Sequence, residues 1–273
     1  MKLPKTFLPG KELDEKIEEL SNSEPYLPTC LAIALCYVEH GGWISDIMVW
    51  MPDMDKPVTV ARRANYINAF CLYDNLLFDT GDYNQVIDTL NNKQIAKRGH
   101  MVSSLCVHDG VMYDGGLKKI YRTDNGKVIA ERDGWVKALC SHNGEIYDAG
   151  SYKQVMKTLE DKPVAERKEW VYSLCSHDSN LYDGATDNKI RDTLTNKVVA
   201  KRDGIPFTMF SFNNKLYDAG QYYPVYETKR RWFKKKLLSI EWKERYSFDS
   251  YRGITAIQPI PAWLANQLML KSR

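Results

Sequence analysis

One interval runs through this chain. Cys36, Cys71, Cys106, Cys140 and Cys175 stand 35, 35, 34 and 35 residues apart, and Phe210 takes the following beat. A fixed period of this size marks a repeat architecture, in which each copy is one supersecondary unit that cannot bury its apolar face alone. Three copies align directly, from Met101, Trp135 and Trp170, and weaker ones begin near Cys30, Tyr66 and Ile205.

Each copy divides into four short apolar or alternating runs, as in Val136–Cys140, Ile146–Asp148, Gln154–Thr158 and Lys162–Arg167. Asp109-Gly110 and Asn143-Gly144 separate the first two runs, and such pairs favour tight hairpins because both residues tolerate positive φ. A helical repeat of the same period is disfavoured, since turn residues interrupt every copy. Four strands without a helix predict a β-propeller blade. The layout resembles the WD-repeat and quinoprotein-like propellers over residues 30–246. It departs from WD repeats proper, because no copy ends in Trp-Asp or opens with Gly-His; Leu-Tyr-Asp followed by Gly/Ala-Gly recurs instead.

The resemblance implies an all-β, six-bladed β-propeller with four antiparallel strands per blade and short terminal helices. Arg252–Ile257 also reads as the first strand of a seventh blade. The expected divisions are an N-terminal extension over residues 1–29, with a short helix at Lys11–Leu20, a propeller over 30–258 and a helical tail over 259–273. The tail has a helical apolar face, which suits packing on the last blade or docking of a partner.

A length of 273 residues suits a propeller forming one domain. There is no charged-then-apolar leader and no apolar run long enough to span a bilayer, so neither secretion nor a membrane span is expected. The periodic cysteines sit in equivalent short apolar runs. That placement favours buried, reduced thiols on successive inner strands and a cytoplasmic protein. Metal-ligand spacings are absent, as are P-loop, dinucleotide and hydrolase motifs, so no metal, cofactor or catalytic residue is assigned.

Two sets of polar residues share the period. Asp79, Asp114, Asp148, Asp183 and Asp218 close the second run of successive copies, and His108, His142 and His177 follow the periodic cysteines by two residues. As a ring around the axis they would wall a channel mouth that takes a cation, a basic peptide or a substrate. As a structural network they would brace strands. Arg98, Arg132, Arg167 and Arg202 on the fourth runs supply mates for the carboxylates, while Thr89, Thr123, Thr158, Thr193 and Thr228 recur on the third. Repetition favours the brace, because a catalytic constellation is normally unique.

The clearest break in the pattern is Lys229, Arg230, Arg231, Trp232, Phe233, Lys234, Lys235 and Lys236, where other copies carry a short polar turn. This octet holds six positive charges in a chain of net charge +3. Basic residues around two aromatics suit an acidic protein surface, a lipid surface or nucleic-acid phosphates and bases. The expected function is a non-catalytic, monomeric propeller scaffold that binds a protein partner, with the basic hairpin as its contact. Two alternatives stand beside it: a nucleic-acid-associated propeller using residues 229–236, and a propeller enzyme or small-ligand binder at the channel mouth.

Overall fold

The structure, a computed structural model, describes residues 30–272 apart from 40, 222, 229–234 and 239–251. The expected helix at Lys11–Leu20 and most of the basic octet lie outside the described residues. Strands β1 (Cys30–Glu39), β2 (Gly42–Trp50) and β3 (Val58–Ala64) open the chain. A second sheet follows from β4 (Ile67–Tyr73), β5 (Leu76–Gly81), β6 (Gln85–Asp88) and β7 (Lys93–Lys97). The third sheet contains β8 (Val102–His108), β9 (Val111–Arg122), β10 (Val128–His142), β11 (Glu145–Gly150), β12 (Gln154–Lys157) and β13 (Lys162–Glu166). The fourth has β14 (Val171–His177), β15 (Asn180–Ala185), β16 (Lys189–Asp192) and β17 (Val198–Lys201). The fifth has β18 (Pro206–Phe212), β19 (Lys215–Gly220), β20 (Tyr223–Glu227) and β21 (Lys235–Leu238). Strand β22 (Arg252–Ile260) and helix α1 (Ala262–Lys271) complete the chain.

All neighbouring strands within these sheets are antiparallel. The fold is a β-propeller, but the expected blade count is corrected. The described residues form five sheets, four of four strands and one of six, so there are five blades rather than six or seven. The six-stranded sheet absorbs two copies of the repeat. The first part of β10 pairs with β9, through Val128↔Tyr121 and Trp135↔Leu117, and its second part pairs with β11, through Cys140↔Tyr147.

A shortened turn accounts for part of this merger. Gly150 and Gln154 are separated by Ser151-Tyr152-Lys153, whereas β9 passes from Gly116 through Leu117 to Lys118, which takes φ 60°, without leaving the strand. The missing residue is the source of the 34-residue step between Cys106 and Cys140.

A second correction concerns Arg252–Ile257. This segment does not begin a seventh blade; β22 is the innermost strand of the first sheet, in the order β22-β1-β2-β3. The C-terminus thereby closes the ring onto the first copy. Cys36 consequently lies on a second strand rather than an inner one, although it keeps the sequence beat. The inner positions are held by β22, β4, β8, the second part of β10, β14 and β18, whose residues line one central channel.

The copies pack in a chain of apolar layers. One layer joins the closing strands, with Leu31, Ile33, Phe210 and Ile254 buried together. Helix α1 buries Leu264, Ala265 and Leu268 against residues of β1, β2, β4 and β5, including Ala34, Ile47, Phe70 and Leu77. It therefore covers the first two blades, not the last. Lys271 Nζ donates to Asn91 Oδ1 at 2.7 Å and holds the end of the helix to the second blade. Among the described residues no helix is long and apolar enough to cross a membrane.

Candidate functional site

The recurring aspartates all lie at zero exposure, and arginines from the preceding repeat copy hold them. Arg98 donates to Asp114 through Nε at 2.8 Å and a terminal nitrogen at 2.6 Å. Arg132 makes the equivalent pair of bonds to Asp148, both at 2.7 Å. Arg63, on β3, does the same for Asp79 at 3.1 and 2.8 Å, a member that the periodic reading of the sequence missed. Arg167 and Arg202 hold Asp183 and Asp218 in the same fork.

Further donors fill most of the carboxylates. Thr89, Thr158, Thr193 and Thr228 donate their hydroxyls to Asp79, Asp148, Asp183 and Asp218. Tyr83 and Tyr152 add phenolic donors to Asp79 and Asp148. Asp114 differs: Lys118 stands in the shortened turn, and Thr123 Oγ1 is buried without a partner among the described residues. A buried carboxylate bound in this bidentate way is a cross-link between repeat copies. None of the five aspartates lines the central cavity.

The histidines lie at the ends of the first strands. Nδ1 of His108, His142 and His177 meets the hydroxyl of Ser141, Ser176 and Ser211 on the next copy, at 3.0, 2.9 and 2.9 Å. Burial lowers the pKa of His142. Each histidine thus joins two neighbouring inner strands. The structure does not bring the aspartates and histidines together in one site.

All six thiols are free. Burial pushes Cys36, Cys71 and Cys140 up to about 12, and Cys106 and Cys175 well above the ordinary thiol range. A thiol held protonated in this way is neither a ready nucleophile nor a ready metal ligand. Among the described residues no group of three or more His, Cys, Asp or Glu side chains is placed to hold a metal. Of the basic octet, only Lys235 and Lys236 fall on described backbone, opposite Glu227 and Tyr226 in the β20–β21 pairing.

A different set of residues forms the most distinctive surface. At the end of the channel where the first strands begin, a cavity of about 280 Å³ is lined by Tyr66, Asn68, Asp82, Met101, Ser103, Trp135, Lys137, Tyr172, Phe207 and Thr255. Asn68, Ser103, Lys137, Tyr172 and Phe207 occupy one position in successive copies, two residues after Tyr66, Met101, Trp135, Trp170 and Ile205. The strands around this position keep their apolar pattern while its occupant changes every time. That variation at a repeated place was the available sequence signal.

The mouth combines aromatic rings with one cation. Lys137 Nζ sits 4.4 Å from the Trp135 ring centroid and 5.7 Å from that of Tyr172. Tyr172 also meets Phe207 at 5.5 Å and Trp170 at 6.5 Å. Across the mouth, Trp43 and Tyr66 approach to 4.7 Å. Trp43, Trp135 and Trp170 remain 38, 38 and 41% exposed, so this rim presents large rings to solvent. Burial lowers Lys137 from 10.5 to about 8, with the Asp82 charge acting weakly in the opposite direction. Asp82 itself is exposed and accepts a hydrogen bond from Asn68 Nδ2 at 2.9 Å.

No protein-family model matches the sequence, and no curated protein matches it. Among solved structures, the chain is similar to the WD40 β-propeller domain of Doa1, at 16% identity over 74% of this chain and 82% of that one, with a TM-score of 0.51. It also matches the computationally designed Ika8 protein at 14% identity, 82 and 80% coverage and a TM-score of 0.44. A chain of the mitotic checkpoint complex matches at 14% identity, 67 and 70% coverage and a TM-score of 0.45. The Doa1 match shows a common fold, the β-propeller.

Proposed function

We propose that this protein is a non-catalytic β-propeller platform, acting in the cytoplasm, that binds a protein partner at the channel mouth around Trp135, Tyr172 and Phe207. The supporting observation is the concentration of partly exposed aromatic rings on that one rim, beside a cavity of about 280 Å³. Large aromatic side chains carry a disproportionate share of binding energy when a partner removes them from water. The rings are held on first strands near the ring axis, so little ordering is needed when a partner arrives.

Quantitative proximity labelling in cells tests this reading against the basic hairpin. One bait carries Trp135→Ala, Tyr172→Ala and Phe207→Ala; another carries Lys234→Glu, Lys235→Glu and Lys236→Glu. The mouth bait should lose the partners of the unaltered protein while the hairpin bait retains them. Retention by a folded mouth bait would refute the assignment.

A further inference from the structure

We infer that the channel mouth recognises a carboxylate group carried on the partner segment, with Lys137, Ser103 and Thr255 as its receptors. This inference rests on the docking reading above and adds the chemistry of what enters.

Three observations converge on one cavity. Lys137 is a largely desolvated cation whose one acidic neighbour on the cavity, Asp82, offsets that burial only in part. Its aromatic neighbours stabilise the ammonium through their faces but cannot neutralise it. Second, Ser103 and Thr255 line the same cavity at 4 and 5% exposure. Third, Ser103 Oγ and Thr255 Oγ1 are buried with no hydrogen-bond partner among the described residues. Buried polar atoms are normally satisfied, so two orphaned hydroxyls on the cavity that Lys137 also lines call for an incoming acceptor.

Charge selects the ligand further. A carboxylate brings one negative charge for Lys137 and lone pairs for the two hydroxyls. A phosphoryl group carries about −1.5 to −2, more than Lys137 balances, and Asp82 on the same rim, which repels either anion, opposes the more highly charged one more strongly. A cationic side chain would meet Lys137 on rings whose faces that lysine already uses. The walls formed by Trp135, Tyr172 and Phe207 favour apolar or aromatic residues flanking the acidic one.

The test uses the full chain and three acetylated tripeptides, read by backbone amide NMR shifts at Ser103, Lys137 and Thr255. Phenylalanine–glutamate–phenylalanine amide supplies a side-chain carboxylate, the glutamine analogue supplies none, and the glutamine analogue with a free C-terminus supplies only a terminal one. At least one carboxylate peptide should bind about tenfold or more tighter than the neutral amide, the size expected when a hydrogen-bonded charge is lost. The stronger of the two identifies the source as a side chain or a chain end. Lys137→Met should abolish the preference, and Lys137→Arg should retain a substantial part of it. Equal binding of all three peptides at the mouth would overturn carboxylate recognition while leaving the docking reading intact. Absence of mouth shifts with every peptide at millimolar concentration would overturn both. A thermal melt of each variant separates loss of binding from loss of folding.

Discussion

Arg132 spans two copies of the repeat and places both of its forked nitrogens 2.7 Å from the carboxylate oxygens of Asp148. Both side chains are almost wholly removed from water, at 5 and 0% exposure. Breaking such a pair on one side leaves an uncompensated buried charge, which costs about 3–5 kcal/mol. Arg132→Met should therefore lower stability by that order, measured as a shift in the urea midpoint. Arg98→Met should cost more, because Asp114 has no tyrosine or threonine hydroxyl to fall back on among the described residues, whereas Asp148 keeps Tyr152 and Thr158. A smaller loss for Arg98→Met would contradict this account of the cross-links.

The histidine braces predict a pH dependence. Burial lowers the His142 pKa, so the unfolded chain takes up the proton first as pH falls. Stability should decline as pH drops below about 6.5 and go on declining through the lower folded value. His142→Asn should be less stable than the unaltered protein near neutrality and lose this part of the decline. The comparison is made by denaturant titration near pH 7 and near pH 5, with ionic strength held constant.

The channel thiols should be chemically silent in the folded ring. Cys71, Cys106, Cys140 and Cys175 are desolvated, and thiolate rather than thiol is the reactive species. Ellman's reagent should modify them only on the timescale of unfolding, and rapidly once urea is added. Fast labelling of any of the four without denaturant would show that its channel position opens to solvent.

Lys137 should be a stability cost. Its pKa falls from 10.5 unfolded to about 8 folded, so between those values the unfolded state holds more protons and wild-type stability rises with pH. Lys137→Met removes that rise and should raise stability near neutrality by about 1 kcal/mol, allowing for partial solvent screening. Differential scanning calorimetry across the alkaline range reads both effects. A variant that melts lower, with an unchanged pH slope, would show that the lysine is a structural asset instead.

The C-terminal helix should be part of the folded core. Leu264 is fully buried in the layer shared with Phe70 and Leu77. Leu264→Ala should cost about 2–5 kcal/mol, read from equilibrium unfolding. Wild-type stability in this variant would mean that the helix can leave the ring without consequence.

The cysteine interval, the four short runs and the turn residues were enough to specify an all-β propeller, because local hydrophobic period and turn chemistry are written residue by residue. The pairing of Asp148 with Arg132 was legible too, since both members recur and a buried carboxylate requires a mate. Arg63 was legible on the same grounds, since it stands 35 residues before Arg98 and in the same Ala-x-Arg triplet. Closure was not legible: Arg252–Ile257 has the pattern of any first strand, and only three-dimensional pairing gives it β1 as a neighbour. The merging of two copies into one six-stranded sheet likewise depends on continuous backbone pairing through β9 and β10, which the sequence shows only as one missing residue. The mouth was the largest surprise, for a simple physical reason. Ser103, Lys137 and Thr255 are far apart in the chain and ordinary one by one; only a closed ring brings them to one cavity and strips water from them.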